Sequence, residues 1–314
     1  MTTGLSKLIR RVTGWQALTN LFPKPPKSLR FGVINAQSLR NKTTLLDRLI
    51  QLETRNGRDL DILIFTETWL KNEGQVIPIK SGNKRYDLIC GVNPNNGLGG
   101  GVAIAVGENY DHTLVKNEQV DSHLQVLAVD VKAKKSENVC RVVATYIPPR
   151  HADKEDHVET VRARWEYLMT ATSNIVTRKH VRKGLDIIIG GDFNIEGHNL
   201  ETCYTFKSVE ARIQQNLNQF MQDNSLEQHV KEGTDTRTGP NVKYIKDWVI
   251  APQGTAIRNL EVLPPIFSHH KEIFADYHLN QRYFCKAPNI TAVKQFCCVH
   301  IHHLGFILYL QIPS

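Results

Sequence analysis

The sequence lacks an uninterrupted apolar run long enough to span a bilayer, and the nearest approach, residues 304–312, is too short. It also lacks a basic start followed by an apolar stretch and a small-residue cleavage site. Its six cysteines do not have the spacing of a disulfide framework, and a chain of 314 residues does not need one. These absences argue against a membrane-spanning or disulfide-stabilised secreted protein. We therefore expect an intracellular protein, nuclear or cytoplasmic.

Acidic residues are missing from both ends of the chain. Residues 1–30 carry six Lys or Arg and no acid, and residues 285–314 carry two and none. The formal charge of +8 comes from these ends, because the body between them has 31 bases and 31 acids. A basic end is usually only solvated, so the charge gives weak support for a nucleic-acid partner.

The composition predicts one globular domain with two flanking segments. The 41% of hydrophobic residues is enough for a core. A run of Pro and Lys at 23–27 is typical of an extended linker, so residues 1–29 are predicted to be a basic arm and linker. We expect the domain over residues 30–283 and a poorly ordered tail over 284–314.

Apolar runs predict a succession of strands and a few helices. Short apolar runs bounded by turn residues favour strands, and apolar residues at helical spacing favour helices. The predicted strands cover residues 30–36, 61–65, 86–90, 101–106, 124–131, 139–146, 186–192, 242–250 and 273–279, and the predicted helices cover 40–55, 154–178 and 209–222.

Polar side chains stand where several of these strands end. Strands buried on both faces place their polar residues at their ends, and neighbouring strand ends bring such residues together. The residues at these ends are Asn35, Glu67, Tyr146 and Asp192.

The stretch from 186 to 194 reads Asp-Ile-Ile-Ile-Gly-Gly-Asp-Phe-Asn. Three branched aliphatics predict a buried strand, and two glycines allow close backbone approach. If the exit stays extended, Asp192 and Asn194 project the same way, because side chains alternate along a strand. A carboxylate that can deprotonate water beside an amide that can donate to a phosphate oxygen suits phosphoester hydrolysis. The alternative is a strand end capped by an Asx turn.

The motifs resemble, in order, those of the endonuclease/exonuclease/phosphatase superfamily, and most closely the endonuclease domain of non-LTR (LINE-type) retrotransposons. The resemblance covers about residues 30–283, and order with spacing makes it more specific than any single motif. It implies an α/β fold, a four-layer sandwich of two packed mixed, mainly antiparallel β-sheets with helices on the outside. The matching motifs lie at 35–39, 65–70, 99–102, 146–149, 190–194 and 268–270.

The resemblance also implies a metal-dependent phosphodiesterase that nicks DNA. Glu67 would bind Mg²⁺ or Mn²⁺, with Asn35 beside it. Asp192 would orient the attacking water, while Asn194, Asn35 and Tyr146 would contact the phosphate. A hard cation on carboxylate oxygens, together with fixed donors, would stabilise the charge that builds on the phosphate oxygens. No small-molecule cofactor is expected.

The closing motif departs from the family pattern. The resemblance gives His270 the role of stabilising charge on the phosphoryl group or leaving oxygen. The family motif is Ser-Asp-His, whereas Ser268 is followed here by His269, so the acid expected to orient the catalytic histidine is missing. We predict a weakened enzyme unless Asp276 or another acid takes over that role. Asp247 falls near an additional family carboxylate, although its match is loose.

Other interpretations remain open at this point. Glu67 and Asp247 could be solvated or salt-bridging acids, and Tyr146 could be structural at a sheet edge. The chain could be a degenerate copy that retains only nucleic-acid or protein binding, or a superfamily relative acting on a phosphate monoester, a lipid or an abasic site. A full-length element of the retrotransposon kind would include a reverse transcriptase domain, and none is recognisable in these 314 residues.

Overall fold

The computed structural model of the protein describes residues 28–71, 75–91, 93, 99–119, 125–134, 138–148, 170, 172, 174–176, 185–194, 209–236 and 245–282. The two helices named in this range are α1 (Thr43–Arg55) and α2 (Val209–Asp223). The strands are β1 (Ser28–Asn35), β2 (Ile62–Thr66), β3 (Val76–Ser81), β4 (Lys84–Cys90), β5 (Val102–Gly107), β6 (Tyr110–Gln119), β7 (Gln125–Ala133), β8 (Val139–Tyr146), β9 (Asp186–Asp192), β10 (Leu226–Gln228), β11 (Asp247–Pro252), β12 (Thr255–Leu263) and β13 (Glu272–Arg282).

The strands form two mixed sheets. Sheet A has the order β12-β13-β1-β2-β5-β4-β3, and sheet B has the order β10-β11-β9-β8-β7-β6. Each sheet contains one parallel pair near its middle, β1 with β2 in sheet A and β8 with β9 in sheet B. The other pairings are antiparallel. The two parallel pairs therefore supply the strand ends at which the polar residues stand.

The core is built in layers. Apolar side chains between the two sheets form the larger cluster, which also includes side chains of α2. A second cluster packs α1 on the outer face of sheet A, where Leu46, Leu49 and Ile50 meet Leu63 and Phe65. The order of layers is therefore α1, sheet A, sheet B, α2. This order confirms the predicted α/β sandwich. Burial of each large apolar side chain stabilises the folded state by about 1.5–3 kcal/mol.

Glycine lets the two sheets approach where β9 crosses the central strands of sheet A. A Cβ added to Gly190 would lie 2.8 Å from Val33 Cγ2 and 2.9 Å from Ile64 Cδ1. Gly191 has φ +151°, and its Cβ would lie 1.8 Å from the carbonyl oxygen of Thr145. The two glycines predicted to permit close approach are thus required by both packing and backbone geometry.

Four strands were not predicted from the sequence, and all four are edges of sheets. They are β3 and β12 in sheet A, and β6 and β10 in sheet B. β3 alternates between exposed and half-buried residues until Ser81, and β6 exposes Leu114 and Val115. An edge strand lies partly in water and does not need a continuous apolar run, so its sequence carries a weak signal.

The predicted boundaries need some correction. Ser28 and Leu29 had been assigned to the linker, but they begin β1, pair with His278 and Tyr277, and are buried. The strand predicted over 242–250 is β11, which begins only at Asp247. The rest of the predicted arm, the tail over 284–314 and most of the predicted helix over 154–178 lie outside the described residues. Among the described residues, no helix is long and apolar enough to cross a membrane.

A buried ionic network joins α1 to sheet A. Glu53 accepts hydrogen bonds from Arg30, at 3.2 Å, and from Arg58, at 2.6 Å. Arg30 also donates to Asp276 at 3.2 Å. The side chains of Arg30, Glu53 and Asp276 are at most 1% exposed. A buried charge is tolerated only when it is paired, so each member depends on the others.

Removing the Glu53 carboxylate, which Arg30 and Arg58 share, should therefore destabilise the folded protein. We expect Glu53→Gln to lower the free energy of unfolding by about 3–5 kcal/mol, because two buried guanidinium groups each lose one carboxylate charge and keep Asp276, for Arg30, and Glu261, for Arg58. Asp59→Asn is the matched control, since Asp59 pairs with Lys84 at 2.7 Å but is 44% exposed. Its loss should be at most about 1 kcal/mol in urea denaturation. Equal losses for the two variants would contradict the role assigned to the buried network.

Candidate active site

Asn35 links the carboxylates of two different sheets. It is the last residue of β1, and its amide nitrogen donates to Glu67 Oε1 at 3.1 Å and to Asp192 Oδ2 at 2.9 Å. The Asn35 amide oxygen accepts the N–H of Gln37 at 3.2 Å. Asn35 therefore holds the two acids next to each other, as the predicted convergence of strand ends requires.

The segment that carries Glu67 is fixed on two sides. The N–H of Ser38 donates to the Glu67 carbonyl at 2.8 Å, which joins the loops after β1 and β2. On the other side, the carbonyls of Gly101 and Gly100 accept the N–H groups of Thr68, at 3.1 Å, and of Trp69, at 2.9 Å. The glycine segment before β5 thus supports the loop that carries Glu67.

The Glu67 loop also has a strained backbone. Glu67 has φ +50° and Trp69 has φ +53°. Non-glycine residues in this left-handed region cost free energy and persist only where their surroundings hold them. The loops after β1 and before β5 provide that support and thereby fix the direction of the Glu67 side chain.

Asp192 lies between two other candidate residues in sheet B. Its Cα is paired with Tyr146 of β8 and with Asp247 of β11. Asp192 Oδ1 accepts the N–H of Asn194 at 3.0 Å, which forms the Asx turn weighed above. Asn194 has φ +46°, so the expected extended exit is wrong. The turn and the polar cluster are compatible, because the other Asp192 oxygen faces Asn35.

Asn194 ties together the ends of β8 and β9. Its amide nitrogen donates to the Ile147 carbonyl at 2.7 Å. The N–H of Ile147 in turn donates to the Asp192 carbonyl at 2.9 Å. The Asn194 side chain is therefore engaged with the residue that follows Tyr146, and it helps to place that tyrosine beside Asp192.

His270 is oriented by an acid that the closing motif does not contain. Its Nδ1 lies 2.7 Å from Asp247 Oδ2 and 3.9 Å from Asp192 Oδ2. The side chains of all three residues are at most 2% exposed. Asp247 thus occupies the orienting position that His269 was expected to leave vacant. The register of β11 beside β9 produces this pair.

The sequence left open whether Asp276 or another acid lies beside His270, and the acid in contact with it is Asp247. Asp276, the substitute considered from sequence, is engaged elsewhere, with Arg30 and Asn259. His269 packs its ring edge against His270, with 4.4 Å between the ring centroids. Its carbonyl accepts hydrogen bonds from the N–H and the hydroxyl of Thr236.

Two hydroxyl side chains position the Asp247 and His270 segments. Thr234 Oγ1 accepts the N–H of Asp247 at 3.0 Å, and the Thr234 carbonyl accepts the N–H of Lys271 at 2.8 Å. Ser268 Oγ accepts the N–H of His270 at 3.0 Å. The role of Thr234 was not predicted, because it follows from a contact between distant segments and no local pattern marks it.

Clustered acids perturb the titration of the site. Burial raises the pKa of Asp192 well above its ordinary value; His270 opposes this shift, whereas Asp247 and Glu67 add to it. Burial lowers the pKa of His270, but Asp247 and Asp192 outweigh it and raise that pKa above its ordinary value. The neighbouring carboxylates therefore favour the protonated form of His270, which carries a proton on each ring nitrogen.

Tyr146 is a neutral donor at the same place. Its side chain is buried, and burial raises its pKa, as do the charges of Glu67 and Asp192. A tyrosine with a raised pKa keeps its proton at neutral pH and can donate a hydrogen bond. Tyr146 is thus suited to contact an anionic group beside Asp192.

The residues fit a divalent cation. Carboxylate oxygens of Asp192 and Asp247 lie within 4.8 Å of each other and of a ring nitrogen of His270, and a carboxylate oxygen of Asp235 lies equally close to His269 and His270. Glu67 is joined to the first group through Asn35. The buried Oδ1 atom of Asp247 has no hydrogen-bond partner in the described part of the chain. Carboxylates that crowd together in this way are stabilised by a hard cation.

The two-sheet sandwich is similar to the fold of solved endonuclease/exonuclease/phosphatase proteins. No protein-family model matches the sequence, and no curated protein matches it. Among solved structures, the AP endonuclease LMAP from Leishmania major superposes with a TM-score of 0.59 and 13% identity, covering 88% of this chain and 98% of that one. An endonuclease/exonuclease/phosphatase family protein from Bacteroides thetaiotaomicron gives 0.51 at 13% identity, covering 81% and 96%. A further such protein, from Beutenbergia cavernae, gives 0.50 at 13% identity, covering 81% and 72%.

The support of the Glu67 loop by glycine can be tested through stability. A Cβ on Gly101 would lie 2.2 Å from Thr68 Oγ1, whereas a Cβ on Gly99 would meet nothing within 4 Å, although both residues have positive φ. We expect Gly101→Ala to destabilise the protein by about 1–3 kcal/mol more than Gly99→Ala, because only the former is overpacked. Chemical denaturation measures the difference. Similar losses would show that Gly101 does not support the loop.

Proposed function

We propose that this protein is a divalent-metal-dependent phosphodiesterase that nicks DNA, of the kind found as the endonuclease domain of non-LTR retrotransposons. The observation that carries the proposal is the Asn35 amide shared between Glu67 and Asp192, with Tyr146 and the His270–Asp247 pair beside Asp192. Acids from two sheets meet neutral and cationic donors there. Hydrolysis of a phosphodiester needs both kinds of group.

A Mg²⁺ or Mn²⁺ ion would be held by Glu67, with Asn35 beside it. When bound, the ion would supply electrostatic stabilisation of the charge on the phosphate oxygens. Glu67 is half-buried and therefore accessible to an ion from solvent, whereas Asp192 and Asp247 are buried.

Asp192 is the proposed proton acceptor for the attacking water. Its raised pKa means that the ionised carboxylate binds a proton more strongly than an ordinary carboxylate, so Asp192 acts as the base only in its ionised form. Its Oδ1 is held by the Asn194 N–H and its Oδ2 by the Asn35 amide, so the carboxylate cannot rotate freely. A base held in one orientation lowers the entropic cost of reaching the reactive geometry.

The donors of the site would stabilise the phosphoryl oxygens and the leaving oxygen. His270 donates its Nδ1 proton to Asp247, which leaves the proton on its other ring nitrogen for the substrate. Tyr146 provides a neutral hydroxyl. Asn194 has a second amide proton beyond the one donated to Ile147, and that proton would reach the phosphate.

The His270–Asp247 pair favours an active enzyme over a degenerate copy, since the orienting contact is in place despite His269. An abasic-site endonuclease is the second candidate, because a solved structure with this fold is an AP endonuclease. The match at 65–70 to the retrotransposon motif favours undamaged DNA as the substrate.

Incubation with supercoiled plasmid and Mg²⁺ tests the activity. We expect nicked circles that a DNA polymerase can extend from a 3′ hydroxyl, and no nicking when EDTA removes the metal. Glu67→Gln and Asp192→Asn should each reduce nicking by about a hundredfold or more. Asp130→Asn is the control, because Asp130 pairs with Arg141 outside the site. Cleavage of only an oligonucleotide with an abasic site would favour the second candidate, and cleavage of neither would contradict both.

Substitutions at Asp247 and at His269, the two residues that could orient His270, should have different effects on the nicking rate. We expect Asp247→Asn to reduce the nicking rate by about a hundredfold or more, since an amide holds the imidazolium less well than a carboxylate. His269→Asp should change the rate by less than about tenfold, because Asp247 already orients His270. Single-turnover nicking measures both. A large gain from His269→Asp would instead show that the native enzyme lacks an orienting acid.

A further inference from the structure

Lys42 makes three short hydrogen bonds beside the candidate active site. It precedes α1, and its side chain is half-buried. Its ammonium group donates to the backbone carbonyls of Ala36, Gln37 and Phe267, each at 2.6 Å. A charged donor gives a stronger hydrogen bond than a neutral one, so these contacts hold the carbonyls firmly.

The three contacts leave Lys42 without a proton for substrate. An ammonium group has three N–H donors, and each one is used on a carbonyl. A lysine near a phosphodiesterase site would ordinarily be expected to contact a DNA phosphate. The hydrogen bonds of Lys42 make it unsuited to that role.

Lys42 instead joins the two loops that carry opposite halves of the site. Ala36 and Gln37 directly follow Asn35. The N–H of Ala36 donates a hydrogen bond to the carbonyl of Thr66, the residue before Glu67. Phe267 lies in the loop that leads to His270. Lys42 therefore connects the Asn35 and Glu67 half with the loop that precedes His270.

The second anchor of that loop is Glu272. Its Oε1 accepts the N–H groups of Ile266, at 2.7 Å, and of Phe267, at 2.8 Å. Glu272 is 1% exposed. Phe267 is thus held through its N–H by Glu272 and through its carbonyl by Lys42. Of the two anchors, Lys42 reaches across to the loop after β1.

We propose that Lys42 is a positioning residue, which fixes the separation between the metal-binding half of the site and the His270 half without touching DNA. This inference rests on the proposed phosphodiesterase function. Displacement of a reacting group by about 1 Å can cost on the order of a hundredfold in rate. Loss of the three contacts would therefore act mainly on the chemical step.

Three variants of the full chain separate this role from the alternatives. Lys42→Met removes the ammonium group, and Lys42→Arg keeps the charge but replaces the compact ammonium with a planar guanidinium. Lys84→Met is the matched control, because Lys84 also pairs by a short contact, 2.7 Å from Asp59, but lies on β4. We expect both Lys42 variants to lower kcat by on the order of a hundredfold with little change in KM. Lys84→Met should retain the native kcat.

The salt dependence of KM distinguishes positioning from phosphate contact. A phosphate contact would make KM rise in Lys42→Met and would reduce the slope of log KM against log salt by about one. Positioning leaves that slope unchanged. An Arg variant with native kcat would also overturn the proposal, because charge alone would then suffice. Unchanged kcat in Lys42→Met with a lowered Tm would reduce Lys42 to a stabilising role.

The three hydrogen bonds of Lys42 form a clamp between the loop after β1 and the loop before His270. Hydrogen exchange tests this clamp even if the native chain does not nick DNA. We expect Lys42→Met to speed amide exchange together in residues 36–39 and 266–270, relative to Lys84→Met. Faster exchange with no activity in the native chain would support the clamp and reject the proposed function. Native exchange in either loop would overturn the clamp whether or not the enzyme is active.

Discussion

The Asn35 amide is the contact on which the site depends, because it bonds carboxylates carried by two separate sheets. Glu67 follows a strand of sheet A, and Asp192 ends a strand of sheet B. Their meeting requires the sheets to pack closely, and Gly190 removes the side chain that would keep them apart. The apolar core and the polar site are thus two results of one packing arrangement. A change that separated the sheets would disperse the acids before it unfolded the protein.

The site concentrates features that are unfavourable for folding. Buried acids stand close together, and several loop residues, among them Glu67 and Asn194, adopt left-handed backbone conformations. Such features persist because the surrounding strands and backbone hydrogen bonds leave the loops little freedom. The resulting hydrogen bonds hold the donors and acceptors of the site in fixed positions. This preorganisation is the main means by which polar groups accelerate phosphoryl chemistry.

The sequence predicted the centre of the fold better than its margins. Strands such as β1 and β9 are buried on both faces, so their apolar runs are continuous and the polar residues that end them, Asn35 and Asp192, stand out. The edge strands are partly solvated, and their sequences carry no comparable signal. The pairing of His270 with Asp247 depends on the register between β9 and β11, which no local pattern encodes. For the same reason Lys42 could not be distinguished in sequence from an ordinary surface lysine.

The first and last described strands are neighbours. Ser28 begins β1 opposite His278 of β13, so the backbone enters and leaves the domain side by side. Asn35 is at the other end of β1, which at about 3.3 Å per residue is roughly 23 Å away. The described chain therefore begins and ends remote from the carboxylates that Asn35 joins.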